Sequence, residues 1–518
     1  MEHEEPNLKR RSVSRVLISV SDKSGIVEFA KMLDESEIEI ISTGGTFREL
    51  SENGISAIPI EKITNFPEMM GGRVKTLHPI IFGGILARDS DKSEAENHNI
   101  QLIDMVVCNL YPFKEAARKG VSSEELIEQI DIGGPSLLRA ASKNLERVAV
   151  VTDPSDYDWI SKEIKEGGSN LEQRRQLALK AFRHTAEYDT MIQSELSLRF
   201  DEEDLPQSLH ITGVGSPPLR YGENPHQSSI FYTDSLFDGP CVSNSEQLQG
   251  KQLSYNNLLD FDAALAIVME FEEPTAVIVK HNNPCGAASD EYLTKAYDLA
   301  VQTDPESSFG GIIAFNRKVD EKLAELITSA FKEGVIAPSY TDSALSVLSN
   351  KENLRVLETG SLSDYQRTPS LRSIDGGWLF QEADNVSIDL SECKVVTNRM
   401  PTADEMKGLQ FGWNIVKHVK SNAIVFTQEQ RTIGIGAGQM SRIDSVRIAA
   451  SKSIIRAENT VMASDAFFPF RDGLDEAAKS GVTAVVQPGG SVRDQEVIDA
   501  ANENNIAMIF TGVRHFKH

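Results

Sequence analysis

A lysine–histidine pair at the end of a buried segment is the strongest catalytic signal in this sequence. The apolar, β-branched residues Thr275 to Val279 predict a buried strand, and Lys280 and His281 follow it directly. Sites in α/β proteins lie beyond the carboxyl ends of strands. A histidine there can move a proton near neutral pH, and a lysine can stabilise a developing oxyanion. The alternative is that His281 is a satisfied structural residue, which is the commoner role of a lone histidine.

Three further polar segments of the second half could complete such a site. Asn422 lies between a predicted helix and a strand and could hold an amide or a carbonyl. The glycine-rich segment 434–442 precedes a helix, and residues 465–472 place three phenylalanines beside acidic residues, where a flat ligand could stack. Tight turns and an edge of the core are the alternative explanations.

Two small, hydroxyl-rich loops in the first half indicate an anion site. The loops SVSDKSG (19–25) and STGGT (42–46) each follow a predicted strand and lead into a helix. Glycine lets the backbone approach a phosphate, to which hydroxyls and helix-terminal N–H groups donate. The alternative is a pair of ordinary N-capping turns, with Thr46 as the cap. Neither loop matches GxGxxG or a P-loop, so dinucleotide and ATP sites are disfavoured.

Basic side chains and one acidic side chain lie close together further along the first half. Arg73 and Lys75 alternate within GGRVKTLHP (71–79), so an extended chain would point both side chains to the same side. Asp131 precedes a predicted helix on which Arg139 and Lys143 share a face. Two like charges on one face are unfavourable unless water or a bound anion compensates them. A solvated basic loop is the alternative for residues 71–79, and Tyr111, at a strand end, could simply cover the core.

The elements that position these residues alternate between strand and helix, which predicts an α/β fold. Expected strands lie at 15–20, 38–41, 55–60, 105–110, 147–152, 275–279, 311–315, 423–426, 432–435, 482–486 and 506–510. A parallel sheet should fill the first half, which ends in an amphipathic helix over 171–200 and a linker over 201–216. In the second half, residues 308–339 and 464–489 share the order of their motifs, which suggests a duplication; chance similarity is the alternative.

Composition excludes several function classes. The 518 residues are 40% hydrophobic and 25% charged, which is ordinary for a globular protein of two to four domains. The net charge of −25 disfavours nucleic acid as a partner, and no apolar run reaches the length of a membrane span. Four distant cysteines without a CxxC pair, and a polar leader over 1–13, predict a cytoplasmic protein without disulfides or zinc.

Taken together, these motifs resemble the family of bifunctional AICAR transformylase/IMP cyclohydrolases. The resemblance covers residues 14–518 in family order, through segments such as IDIGGPSLLRAASKN, LRYGENPHQ, VKHNNPCG and SDAFFPFRD. It implies a methylglyoxal-synthase-like domain for cyclisation over 14–200. It also implies a formyl-transfer domain over 217–518, made of two cytidine-deaminase-like subdomains at about 217–385 and 386–518. His281 lacks the deaminase zinc motif, so the likeness there is one of fold.

The resemblance also implies roles for individual residues. The formyl-transfer residues would be the proton-moving His281, its charged neighbour Lys280, and Asn422, which holds the tetrahedral intermediate. The cyclisation residues would be Lys75, Tyr111, Asp131 and, as the best candidate, Lys143. Substrate-binding positions would be Ser19, Lys23, Ser42, Thr43, Gly44, Gly45, Arg73, Thr76 and Asn109 in the first half, and Arg220, Tyr221, Arg442, Phe467, Asp472 and His518 in the second.

The implied ligands are AICAR, formyl-AICAR and the formyl donor 10-formyltetrahydrofolate, with a place for a structural K⁺ and none for zinc. A homodimer is implied, with the formyl-transfer site built across its interface. Two rival hypotheses remain: a protein that keeps only one of the two activities, and a non-catalytic regulator that binds purine nucleotides. The regulator would need the phosphate loops but not Lys280, His281 and Asn422 together.

Overall fold

The computed structural model describes residues 10–200, 208–234, 237, 239–363, 365, 367–453 and 460–518. The chain forms two compact units, Met1–Thr212 and Gly213–His518, called unit 1 and unit 2 below. Residues 1–9 of the expected leader and residues 201–207 of the expected linker lie outside the described residues.

Unit 1 alternates strands with helices along the chain. Its strands are β1 Arg15–Ser19, β2 Glu39–Ser42, β3 Ile58–Pro59, β4 Met105–Cys108 and β5 Ala149–Val151. Its helices are α1 Ile26–Glu35, α2 Gly44–Glu52, α3 Ile60–Thr64, α4 Pro79–Leu86, α5 Lys92–Asn97, α6 Phe113–Arg118, α7 Ser123–Ile127, α8 Gly133–Lys143, α9 Tyr157–Lys165 and α10 Leu171–Phe200.

The described strands of unit 1 form a parallel sheet in the order β3-β2-β1-β4-β5. Strand order reverses between β1 and β4, which creates a crevice at the carboxyl ends of these strands. The sheet is buried between helices; on one face, for example, Phe29 of α1 stacks on Tyr157 of α9 with ring centroids 4.7 Å apart. The predicted strand over 55–60 was wrong in extent, because only Ile58–Pro59 pairs and Ile60 begins α3.

Unit 2 contains more strands than the sequence predicted. Its strands are β6 Val214–Gly215, β7 Tyr232–Thr233, β8 Glu246–Gln249, β9 Thr275–Lys280, β10 Asn283–Ser289, β11 Ile312–Phe315, β12 Gly334–Ala337, β13 Arg355–Glu358, β14 Ser370–Ile374, β15 Gly377–Gln381, β16 Lys394–Val395, β17 Ile424–Gln428, β18 Arg431–Gly436, β19 Thr460–Ser464, β20 Val482–Gln487 and β21 Ala507–Phe510. Its helices are α11 Tyr255–Val268, α12 Leu293–Thr303, α13 Pro305–Ser308, α14 Glu321–Thr328, α15 Asp342–Leu348, α16 Ala403–Val416, α17 Arg442–Lys452, α18 Asp472–Lys479 and α19 Asp494–Glu503.

Twelve of the described strands in unit 2 form one mixed sheet whose two halves mirror each other. The order is β16-β21-β20-β19-β17-β18-β10-β9-β11-β12-β13-β8. Each half contains an antiparallel hairpin (β9–β10 or β17–β18), followed outward by three parallel strands and one short edge strand. This repeated topology supports the duplication that the motif order suggested.

Glycines of the inner hairpin strands have the same packing role in both halves: Gly286 in one half, and Gly434 and Gly436 in the other. A Cβ atom on Gly286 of β10 would lie 1.9 Å from the carbonyl oxygen of Ala300 in α12. A Cβ atom on Gly436 of β18 would lie 1.9 Å from the carbonyl oxygen of Ser445 in α17. Each half therefore needs a residue without a side chain where a helix backbone crosses the inner hairpin.

Among the described residues, none of the helices combines the length and the hydropathy that a membrane span requires.

Candidate active sites

A cavity of about 530 Å³ lies at the crevice of unit 1. It opens beyond the carboxyl ends of β1, β2 and β4, where a parallel sheet of this order binds ligands. Predicted site residues that line it are Ser19, Lys23, Thr43, Gly45, Arg73, Lys75, Thr76, Asn109, Tyr111 and Asp131. The cavity therefore brings together most of the residues that the first-half motifs indicated.

The loop after β2 brings the start of a helix to the cavity, whose lining includes Gly45 and Thr46 of α2. The Thr43 side chain accepts no hydrogen bond from α2, whereas the first N–H of α1, that of Ile26, donates to the Lys23 carbonyl at 3.2 Å. The hydroxyls of Ser19 and Thr43 lie 3.0 Å apart at the cavity wall. Thr46, the alternative cap, instead donates to the carbonyl of Val20 at 3.0 Å. This arrangement is typical of phosphate binding.

Two predicted ligand residues of unit 1 also have structural roles. The Asn109 amide oxygen accepts from the backbone N–H groups of Ser21 (2.6 Å) and Asp22 (2.9 Å), and its amide nitrogen donates to the Asp22 carbonyl at 2.9 Å. Asn109 thus fixes the loop that carries Lys23. The Ser42 side chain is fully buried and donates to the Ile18 carbonyl at 3.0 Å, so its hydroxyl ties β2 to β1.

Lys75 lies between the two glycine loops. Its ammonium is 3.1 Å from the Glu68 carboxylate. A Cβ atom on Gly44 would lie 3.5 Å from Lys75 Nζ, and one on Gly72 would lie 2.9 Å from it. Gly72 therefore makes room for the Lys75–Glu68 pair, whereas a Cβ atom on Gly44 would make an ordinary contact. Glu68 was not predicted, because nothing in the spacing links it to the site.

Asp131 is a half-buried carboxylate at the start of α8. Its Oδ1 accepts from the Gly134 N–H at 2.8 Å. Burial raises the pKa of Asp131, while backbone N–H groups of Gly134, Tyr111 and Gly133 and the Lys75 charge oppose that shift. Tyr111 is 38% exposed and lines the same cavity. A carboxyl group with a raised pKa next to a cation suits proton exchange with a bound substrate.

Arg73 and Lys143 take different places from those expected. The Arg73 backbone is helical rather than extended, and its guanidinium pairs with Glu128 at the cavity rim. Lys143 is exposed in the last turn of α8, about 14 Å along the helix from Gly134 at the cavity end. Lys143 does not line the cavity of unit 1, because α8 points its first turn, not its last, at the site.

In unit 2, Lys280 and His281 lie in the tight turn of the β9–β10 hairpin. Lys280 and Asn283 pair across the hairpin, so the loop consists of His281 and Asn282, with φ of +54° and +61°. Two positive φ angles are typical of a type I′ turn. Lys280 Nζ donates to the Phe309 carbonyl at 2.9 Å, and the His281 side chain is exposed. Strand β10 was not predicted from the sequence; its small residues, such as Gly286, let α12 pack closely against it.

Asn422, which is half-buried, and Arg442, which is buried, form a polar cluster with the glycine-rich segment. Asn422 Nδ2 donates to the carbonyls of Gln439 (2.8 Å) and Met440 (3.1 Å), and its Oδ1 accepts from Arg442 at 2.8 Å. Arg442 is 7% exposed and pairs with Asp465, which is 0% exposed. The Arg442 guanidinium therefore forms a buried ion pair, and this pairing with Asp465 was not predicted, although Asp465 belongs to the predicted segment 465–472.

The turn and the Asn422 cluster are linked through one segment. The Lys420 N–H donates to Asn283 Oδ1 at 3.0 Å, and Lys420 Nζ donates to the His518 carbonyl at 2.6 Å. Arg372 of the β14–β15 hairpin also donates to the His518 carbonyl, at 2.9 Å. The structure thus places His518, Lys420 and the β9–β10 turn next to one another.

The remaining predicted residues of unit 2 have local contacts. Arg220 donates to the Tyr221 hydroxyl at 2.8 Å and lies over its ring at 4.8 Å. Phe467 is 36% exposed, and Asp472 begins α18 and accepts from the Gly473 N–H at 2.8 Å. Cys285 is a packing residue, and burial raises the pKa of its thiol to about 12. Among the described residues, no three His, Cys, Asp or Glu side chains are grouped as metal ligands.

Comparison with known proteins gives two family matches. A family described as "AICARFT/IMPCHase bienzyme" matches residues 141–452, and one described as "MGS-like domain" matches residues 25–136. The second match, with the parallel sheet of unit 1, confirms the predicted fold class.

Individual relatives match almost the whole chain. The "Bifunctional purine biosynthesis protein PurH" of Oceanobacillus iheyensis is 50% identical over 508 residues, which cover 97% of this chain and 99% of that protein. The protein of the same name from Bacillus subtilis is 49% identical over 512 residues, which cover 98% and 100%. A solved structure titled "Crystal structure of ForH" is 35% identical and covers 36% of this chain and 100% of its own, with a TM-score of 0.32.

Proposed function

The chain belongs to the AICARFT/IMPCHase bienzyme family, and from this membership we propose that it catalyses two consecutive steps of purine biosynthesis. In the first, the 5-amino nitrogen of AICAR attacks the formyl carbon of 10-formyltetrahydrofolate. The amine loses a proton, N10 of the folate leaves and takes one up, and formyl-AICAR and tetrahydrofolate form. In the second, the carboxamide nitrogen attacks the new formyl carbon, water leaves, and IMP forms.

We assign cyclisation to the cavity of unit 1, and the observation that carries this assignment is the convergence of an anion-binding loop pair with Lys75 and Asp131. The N–H groups that begin α2 and the hydroxyls of Ser19 and Thr43 would hold the substrate phosphate. Lys75 would stabilise the oxyanion that develops when the ring closes. Asp131, whose pKa is raised by burial, would exchange the proton that the departing water needs, with Tyr111 beside it.

We assign formyl transfer to unit 2, at the surface where the β9–β10 turn, Lys420 and Asn422 meet. The AICAR amine is conjugated with its ring and is therefore a poor nucleophile. Proton removal by His281 should therefore accelerate the reaction most. The His281 imidazole is exposed and free to approach a bound substrate. Lys280 and Asn422 are held by backbone carbonyls, which supports a role in orienting groups. Arg220, Tyr221, Phe467, Asp472 and His518 are proposed ligand contacts.

We further propose a homodimer, a cytoplasmic location and a structural K⁺. The four cysteines are unpaired, which suits a reducing compartment. Exposed apolar side chains on the β14–β15 hairpin, such as Trp378 at 67% exposure, suit a subunit contact. Ser421 and Asp465, whose side-chain oxygens are in contact, would hold the K⁺ ion, because alkali cations are bound by oxygen ligands. Sedimentation equilibrium tests the dimer, and unfolding in K⁺ against tetramethylammonium tests the cation.

Two variants test the assignment of each reaction to its unit. Replacing the general base should lower formyl transfer by about 10²- to 10⁴-fold. We expect this loss in His281→Ala, which should still bind AICAR and still cyclise supplied formyl-AICAR. We expect the reverse in Lys75→Met: slow cyclisation and unchanged formyl transfer. Lys62→Met, an exposed lysine on α3, is the matched control.

The wild-type protein supplied with AICAR and 10-formyltetrahydrofolate should yield tetrahydrofolate and IMP in equal amounts. Accumulated formyl-AICAR would mean that only formyl transfer is active. If a folded protein bound AICAR but made neither product, the non-catalytic regulator would be the correct function. If His281→Ala kept full formyl transfer, the proton-moving role of His281 would be wrong.

A further inference from the structure

Asp260 makes the contact that holds the His281 turn. This residue lies on α11 and its carboxylate faces the β9–β10 hairpin. Its Oδ1 accepts from the N–H of Asn282 at 2.7 Å, and its Oδ2 accepts from the N–H of His281 at 3.3 Å. One carboxylate therefore binds both backbone N–H groups of a two-residue loop.

The turn needs such support because of its residue types. His281 and Asn282 both have positive φ angles, and neither is glycine. For most residues with a Cβ atom, the left-handed region is unfavourable by about 1–2 kcal/mol, and asparagine adopts it more readily than histidine does. Such a conformation persists only where the surroundings hold it in place. Asn-Gly or Gly-Gly would adopt this turn readily. His281 instead occupies a position whose backbone conformation has to be restrained by its surroundings.

The carboxylate itself is held in an environment that disfavours its charge. Burial raises the pKa of Asp260, and the two N–H groups and the nearby His281 oppose that shift. Helix α11 is fixed at its start by a capping box between Ser254 and Asn257, and its inner face is part of the core. The position of Asp260 is therefore set by the scaffold, and the turn is set by Asp260.

We propose that Asp260 is a positioning residue for formyl transfer: it sets the direction of the His281 imidazole by fixing the backbone of the turn. This inference rests on the proposed role of His281. Displacing a reacting group by about 1 Å can lower the rate about 10²-fold. We expect Asp260→Ala to lower kcat for formyl transfer between ten- and a hundredfold, with KM for AICAR and the folate changed less than threefold.

The conservative variant Asp260→Asn separates positioning from a structural effect. An amide oxygen can still accept from one of the two N–H groups, so Asp260→Asn should recover much of the lost kcat. Amide hydrogen exchange gives a readout that does not depend on activity. The N–H groups of His281 and Asn282 should exchange faster in Asp260→Ala than in the wild type, and at an intermediate rate in Asp260→Asn.

Asp320→Ala is the matched control. Asp320 also bonds a backbone N–H, that of Leu323 at 2.9 Å, where it caps α14. Its loss should lower the unfolding temperature as much as Asp260→Ala does and leave kcat unchanged. Cyclisation of supplied formyl-AICAR should be normal in every variant.

Asp260→Ala with wild-type kcat and faster exchange at the turn would overturn the proposal, provided that His281→Ala abolishes formyl transfer. Equal loss of kcat in Asp260→Ala and Asp320→Ala would reduce Asp260 to a stabilising residue and would also overturn it. If His281→Ala itself kept full formyl transfer, the function proposed for His281 would fail first, and Asp260 would have no catalytic partner to position.

Discussion

The neighbouring glycines 71 and 72 offer a direct test of the place of Lys75. Both have positive φ, +66° and +97°, so alanine at either position should be unfavourable by about 1–2 kcal/mol. Their surroundings differ. A Cβ atom on Gly71 would meet nothing within 4 Å, whereas one on Gly72 would displace both members of the Lys75–Glu68 pair: it would lie 2.7 Å from Glu68 Oε1, 2.7 Å from Lys75 Cε and 2.9 Å from Lys75 Nζ.

The geometry gives the size of the expected effect. Ordinary Cβ contacts begin at 3.4 Å, so the Lys75 tip must withdraw by at least about 0.7 Å in Gly72→Ala. Because the tip of a lysine is flexible, this movement should add little to the loss of stability. A shift approaching 1 Å in a group that stabilises the transition state can lower the rate by up to about 10²-fold. We therefore expect cyclisation to fall 10- to 100-fold in Gly72→Ala and to stay within threefold of wild type in Gly71→Ala.

The assay follows IMP formation from supplied formyl-AICAR at saturating concentration, with formyl transfer measured on the same samples. Thermal unfolding should show both variants destabilised alike, by about 2–8 °C for a unit of this size. If the two variants lost cyclisation equally, backbone strain alone would explain the result. If neither lost it, Lys75 would not act from the position that the structure shows.

Two further predictions concern buried ionisable groups in unit 2. Arg442→Met should lower the free energy of unfolding by about 3–5 kcal/mol, because it leaves the fully buried Asp465 without its cation. Urea unfolding checks this, and Arg442→Met/Asp465→Asn should recover part of the loss; a change below about 1 kcal/mol would contradict the buried pair. Burial lowers the pKa of His418 to about 4 from its ordinary value of 6.5, although the hydrogen bond and negative charge of Glu270 raise it. The folded state therefore binds fewer protons between these values, and stability should fall by about 2 kcal/mol as the pH drops from 6.5 to 5. His418→Gln should flatten urea-unfolding stability over that range, and an unchanged slope would mean that another group titrates.

The sequence by itself determined the strand–helix alternation of unit 1, the fold class and most of the cavity of unit 1. Alternating apolar runs specify a parallel sheet, and such a sheet brings every strand-end loop to one edge. Ser19 and Thr43 could therefore be grouped without a structure, the family resemblance added Lys75, Tyr111 and Asp131, and the cavity brings all five together. The order of the motifs similarly suggested a duplication, in agreement with the two mirrored halves of the sheet in unit 2.

Only the tertiary structure decided which side chains face a ligand and which form buried contacts within the protein. Helix phase and length place Lys143 at the far end of α8, and burial turns Arg442 toward Asp465. The partners Glu68 and Asp260 come from elements distant in the chain, so no local spacing reveals them. Motifs record residue types over a few positions, whereas hydrogen bonds and charge pairs form between segments that only the packed fold brings within 3 Å.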